Sequence, residues 1–209
     1  PPATAGPLQR PDISTYQAQR LAYQAVFQRW GADLSSWDAA TIPCNFAPRA
    51  GLQCLSRTGS WSDIHSLNLP VVLELWGQGT SPFYGAVMAM NGRDLELQMG
   101  RERYQISQTE LRDIWFGSYV VLWQMPPNYQ GTLKRGDRHP SVGWLRKQLA
   151  ELGNQPLQGD EANLFDATLQ EAVLAFQREE RLLTDGIVGP ATWIRLSERH
   201  NLPAPKLEG

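Results

Sequence analysis

Two cysteines and three histidines are the residues of this 209-residue chain best suited to nucleophilic or metal chemistry. Cys44 and Cys54 flank the loop-like stretch NFAPRAGLQ, and His65 follows eleven residues after Cys54. A thiolate beside an imidazole would make a cysteine nucleophile. Cys44 competes for the same sulfur, however. With Pro48 and Gly51 between them, the two cysteines either close a short disulfide loop or remain two reduced, buried thiols. The bridge would stabilise the fold by roughly 3 kcal/mol in the chain-entropy picture, and it implies an oxidising compartment such as the periplasm. Cys44, Cys54 and His65 lack a zinc spacing and a fourth ligand, so no metal is expected. No Walker loop, dinucleotide fingerprint or G-x-S-x-G occurs, and no cofactor is expected either.

A second candidate is TDGIVGPAT at 184–192. Its glycines allow close approach of a ligand to the backbone. The helix start at Gly189-Pro190 presents N–H groups that suit carboxylates. The same residues would also serve simply as a turn into a helix.

The elements that must hold these residues fall into two sets. Thr15 to Trp30 reads as a helix, with Tyr16, Tyr23, Phe27 and Trp30 on one face and Gly31 as its stop. The runs at 71–76, 85–90, 94–99 and 119–123 read as strands, with Asn91-Gly92 as a hairpin turn. Ser107 and Glu110 form a capping-box pattern that opens a short helix. After MPPNYQGT at 125–132 the pattern becomes all-helical. Val142, Leu145, Leu149 and Leu152 predict one helix ended by Gly153. Leu169, Ala172, Val173 and Phe176 predict another, N-capped by Asp166. Pro190 opens a third, with Trp193, Ile194 and Leu196 inward. The fold class is therefore α+β followed by a small three-helix unit. Most of the eight tryptophans fall on apolar faces and are expected in the core, with Trp144 the exception.

Composition narrows the partners. The net charge of −2 gives no basic excess for nucleic acid or an anionic membrane surface. No apolar run is long enough to span a bilayer, and no signal peptide is visible. The opening PPATAGP lacks methionine, so the chain is expected to be a piece of a longer protein, and the closing KLEG to be a cloning remnant.

The C-terminal third resembles the three-helix peptidoglycan-binding domain family. The residues that carry this are Leu133 and Gly136, the Val142-Leu145-Leu149-Leu152-Gly153 helix, then Thr168, Ala172, Val173, Phe176 and Gln177. Asp185, Gly186, Gly189, Thr192 and Leu196 complete the pattern. One extra residue separates Thr168 from Ala172. The family often has a second glycine in the first turn, where His139 or Pro140 stands here, and another near Arg181. The resemblance implies peptidoglycan contacts at Phe176, Gln177, Arg181, Asp185, Gly186, Gly189 and Thr192.

The N-terminal part resembles the C39-like, papain-type peptidases through AQRLAYQAVFQRWG and the strands after it. Those enzymes place the nucleophilic cysteine at the start of the first helix, where the helix N-terminus and a histidine lower its pKa. The matching position here is Ala18. The histidine position falls on Phe83 or Tyr84, with Phe83 preferred, and DLELQMG offers no clear orienting aspartate. The resemblance therefore implies a degenerate site without thiolate or imidazole. Read together, GLQCLSRTGSWSDIHSLNLPVVLEL, ELRDIWFGSYVVLWQ and the domain order resemble the periplasmic region of the general secretion pathway protein A family, of type II secretion. Members of that family carry an ATPase and one membrane helix upstream. They work with protein B to place the secretin in the outer membrane.

The expected organisation is a Pro-rich linker at 1–13, a degenerate C39-like domain at 14–126, a linker at 127–131, a peptidoglycan-binding domain at 132–200 and a tail at 201–209. The expected role is a non-catalytic wall-binding region, periplasmic and part of an inner-membrane protein. Expected partners are peptidoglycan, protein B, the secretin and a second copy of the chain, with no nucleic acid. A peptidoglycan hydrolase or cysteine peptidase with a wall-targeting module is the second reading.

Overall fold

The N-terminal sequence TYQAQRLAYQAVFQR forms helix α1 (Thr15–Arg29) because Ser14 caps it: the Ser14 side chain accepts from the Gln17 N–H and the Gln17 side chain returns the contact. The computed structural model describes residues 8–77, 81–154, 156–159 and 161–208. Its residues group into two compact units, 1–123 with 204–209 and 124–203.

In the first unit α1 is followed by the short helix α2 (Pro43–Phe46), a 3-10 turn (Ala47–Ala50), strand β1 (Leu52–Thr58) and helix α3 (Trp61–Leu67). Strands β2 (Val71–Leu75), β3 (Phe83–Asn91), β4 (Asp94–Met99), β5 (Glu102–Ser107) and β6 (Trp115–Gln124) complete it. They form one six-stranded sheet in the order β1-β6-β2-β3-β4-β5. The β2–β3, β2–β6, β3–β4 and β4–β5 pairings are antiparallel.

Alternation along the strands sorts the two faces. Val72, Ala86, Met88 and Leu122 share a core with Tyr23, Val26 and Phe27 of α1. Residues one step away face the other side: a Cβ at Gly85 would meet Leu75, Leu97 and Met99. Phe27, Trp37 and Phe46 close the α1 side as a cluster of rings with centroids 5.3–5.4 Å apart.

The second unit is three helices, α4 (Pro140–Leu152), α5 (Ala167–Glu179) and α6 (Pro190–Arg199). Val142, Leu145, Leu169, Val173, Trp193 and Leu196 are buried between them. Leu133 and Val188 exchange backbone hydrogen bonds of 3.1 and 2.8 Å, so the chain entering the unit is tied to the turn before α6.

Several sequence expectations are corrected. Tyr16 is exposed rather than part of the core face, and its hydroxyl donates to the Ala39 carbonyl. The stretch between the cysteines is not a plain loop: it runs through α2 and a 3-10 turn into β1, which holds Cys54, and His65 lies in α3. β1 and β5 were not legible as strands, because their residues are half exposed and polar. The 107–110 capping box is present, but it opens a 3-10 turn rather than an α-helix. The first seven residues of the expected N-terminal linker lie outside the described residues. The remainder is in contact with the unit: Arg10 stacks over the Phe83 ring. Residues 204–208, expected as a tail, dock on the first unit. Leu207 is buried, its carbonyl accepts from the Met90 N–H at 2.8 Å, and the Asn68 side chain accepts from the N–H groups of Leu207 and Glu208. Asn68 reaches them because it ends α3 in the left-handed conformation.

Candidate functional site

The first place to look is the N-terminus of α1. Thr15 Oγ1 donates to the Pro82 carbonyl at 3.0 Å, so the helix start meets the chain entering β3, as a cysteine–histidine site would require. Ala18 there is buried and carries no nucleophile. On β3, strand parity puts Tyr84 on the α1 face and Phe83 on the face with Leu75 and Gly85. Tyr84 rather than Phe83 thus faces the helix. Its hydroxyl donates to Glu74 Oε2 at 3.5 Å, and Trp76 Nε1 donates to Glu74 Oε1 at 3.0 Å. Burial, then the Glu74 charge, raises the Tyr84 pKa. Burial, then Tyr84 and Glu74, raises that of Tyr23. Both phenols therefore stay protonated at neutral pH and hold structure.

The two sulfurs are joined in a Cys44–Cys54 disulfide, S–S 2.08 Å. It ties α2 to β1 beside α1, and the Tyr23 hydroxyl donates towards Cys44 Sγ at 3.7 Å. His65 pairs instead with Glu208, Nε2–Oε1 2.7 Å. Among the described residues no group of three His, Cys, Asp or Glu is placed to hold a metal ion.

The second place is the α5–α6 turn. Gln177 is 1% exposed, and its amide organises the turn. Nε2 donates to Asp185 Oδ1 at 3.0 Å, the Ile187 carbonyl at 2.9 Å and Thr192 Oγ1 at 3.3 Å, while Oε1 accepts from the Gly186 N–H at 2.9 Å. Asp185 Oδ1 also accepts from the Ile187 N–H at 2.9 Å. The structure thus brings Gln177, Asp185, Gly186 and Thr192 together, but spends their polar groups on one another. Gly186 takes φ of 71° against the Gln170 and Leu174 side chains, a position that admits no Cβ without strain. Arg181 is exposed and sits at φ 57°. It occupies a left-handed position that favours glycine, the residue the family resemblance leads one to expect there. Gly189 is the N-cap of α6 and supplies no side chain there. The other departure, His139, caps α4: its Nδ1 accepts from the Ser141 N–H at 3.2 Å.

Phe176 looks the other way, into a groove of about 330 Å³. Thr168, Glu171, Ala172, Ala175, Phe176 and Glu179 form one wall at helical spacing along α5, and Leu149 and Leu152 of α4 with its C-cap Gly153 form the other. Arg199 stands at one end, bonded to Glu179 at 3.0 Å and to Glu180. The floor is apolar and small, with hydroxyl, carboxylate and guanidinium groups on its rim. That composition suits a ligand mixing apolar and amide surfaces. Sequence reasoning missed Glu171, Ala175, Glu179 and Arg199. The signal was available as the second, largely exposed stripe of α5, Thr168-Glu171-Ala172-Ala175-Glu179.

Residues 9–125 match the family described as GspA, peptidase C39-like domain, and residues 138–196 match a peptidoglycan binding domain family. General secretion pathway protein A of Aeromonas hydrophila is 31% identical over 187 residues, covering 90% of this chain and 33% of that protein. A protein of Escherichia coli K12 described as general secretion pathway protein A is 25% identical over 178 residues, covering 84% and 35%. The chain thus spans about a third of the length of these relatives. Among solved structures, a periplasmic domain of the EpsAB fusion protein of the Vibrio vulnificus type II secretion system shares the fold, with TM-score 0.57 and 23% identity over 93% of this chain and 85% of that one. With the matched residues spanning the sheet, α1 and the disulfide loop, this chain belongs to the GspA peptidase C39-like domain family, and carries a peptidoglycan binding domain after it.

Proposed function

We propose that this chain is a non-catalytic, peptidoglycan-binding periplasmic region of a type II secretion assembly protein. The observation that carries the reading is the pairing of modules: a GspA-type C39-like domain followed by a peptidoglycan binding domain. The groove between α4 and α5 is the site we assign to the wall. Its small residues let a stem peptide lie close to the helix, and Thr168, Glu171 and Arg199 supply hydrogen bonds to its amides and charged ends. The α5–α6 turn, with Arg181, Asp185 and Gly189 at its surface, borders the ligand, while Gln177, Gly186 and Thr192 hold the turn in place. Placement of the secretin with protein B, and residence in the inner membrane, would belong to the longer protein.

Absence of catalysis in the first unit is supported by its chemistry. Both sulfurs are in a disulfide, Ala18 in α1 carries no nucleophile where the resemblance expects one, and Tyr84 stands on the strand face that meets α1. Co-sedimentation of the chain with purified sacculi tests the reading. The chain pellets with the wall, Ala175→Arg, which blocks the groove from an exposed position, leaves it in the supernatant, and no muropeptide is released. Retention untouched by Ala175→Arg would remove the groove from the account, and muropeptide release would remove the non-catalytic reading.

A further inference from the structure

A larger cleft, about 540 Å³, opens in the first unit where β1 ends and β6 begins. Trp61, Arg93, Gln108, Arg112, Trp115 and Phe116 line it, with no Asp or Glu among the lining residues. Neither Arg93 nor Arg112 has an ion-pair partner among the described residues, and both are exposed. Phe116 is 67% exposed, which leaves a large apolar side chain in water.

The backbone holds Phe116 there. The β2–β6 register shifts between Leu73↔Tyr119 and Leu75↔Trp115, so extra residues of β6 bulge out around Phe116. Gly117 takes φ of 91°, and its carbonyl accepts from the Gly59 N–H at 3.0 Å. A Cβ at Gly117 would lie 2.6 Å from the Gly59 carbonyl oxygen, so only glycine permits this approach. Trp61 and Trp115 pack with ring centroids 4.3 Å apart and planes tilted by 47°, and Trp115 Nε1 is spent on the Ser118 carbonyl at 2.9 Å. These rings form a wall rather than an open, flat stacking platform for a sugar. The cleft also adjoins β1, an outermost strand of the sheet.

We infer that this cleft docks an acidic segment of a partner protein, with carboxylates on Arg93 and Arg112 and an apolar side chain against Phe116 and Trp61. Two guanidinium groups without ion-pair partners in one cleft select carboxylates, and an exposed aromatic lining the same cleft is the form of an interface anchor. The site lies outside the α4–α5 groove and does not depend on the peptidoglycan reading.

Fluorescence anisotropy with the whole chain tests it. The probe is a short fluorescein-labelled peptide alternating glutamate with phenylalanine and valine, against the same peptide with lysine for glutamate. Binding of the glutamate peptide only is expected, weakened about tenfold or more by Arg93→Glu with Arg112→Glu and by Phe116→Ser, and by raised salt. All three positions are exposed, so melting temperatures stay unchanged, as does retention on sacculi. Equal binding of both peptides, or binding indifferent to these substitutions, would overturn the inference. So would soluble muropeptides displacing the glutamate peptide, which would make the cleft a wall contact.

Discussion

Gln177 shows how one buried side chain can hold together the turn that carries a domain's signature residues. Its buried amide joins Asp185, Gly186, Ile187 and Thr192, and removing it strands the buried Gly186 N–H and Thr192 hydroxyl. Gln177→Leu is expected to destabilise the second unit by about 2–3 kcal/mol, read as a lower urea midpoint. Asp166 gives a pH dependence. Burial opposes its ionisation, yet the Leu169 N–H and the Arg146 guanidinium at 2.8 Å outweigh it and lower its pKa below the ordinary value. A depressed carboxyl contributes stability that is fully present above the unfolded pKa and lost as pH falls through the folded one. Asp166→Asn is therefore expected to lower stability at neutral pH, by about 1 kcal/mol, with the difference from the parent shrinking below pH ~4 in acid titrations followed by circular dichroism.

At the scale of elements, the disulfide is a clamp. It joins α2 to β1 and backs the α1 cluster, where Tyr23, Phe27 and Phe46 meet. Replacing both cysteines by serine is expected to cost the first unit roughly 3 kcal/mol, with the same loss on reduction by dithiothreitol and none added in the double variant. Elements with strong periodicity or clear caps were legible in the sequence: α1 through Ser14 and its buried face, α5 through Asp166, α6 through Pro190. β1 and β5 were hidden because sheet pairing, not local pattern, makes them strands. No linear pattern reports which face of β3 meets α1, so the sequence alone does not separate Tyr84 from Phe83. The α5–α6 turn announced itself by its glycines, whereas the groove beside it depends on how α4 and α5 pack, and no spacing in one helix discloses that.

For the whole molecule, the two units divide the chemistry. The first offers a disulfide-clamped sheet and a cleft at the β6 bulge lined by Arg93 and Arg112. The second offers a groove whose rim mixes both charges. No described helix is long and apolar enough to cross a membrane. The central claim is that the second unit takes peptidoglycan in the α4–α5 groove. The most direct measurement is an NMR titration of the 15N-labelled chain with a purified muropeptide. The account predicts saturable shifts at the amides of Gly153, Thr168, Ala172 and Ala175, smaller ones at Arg181 and Asp185, and none along the strands of the first unit. Shifts confined to residues 9–123, or none at α5, would contradict it.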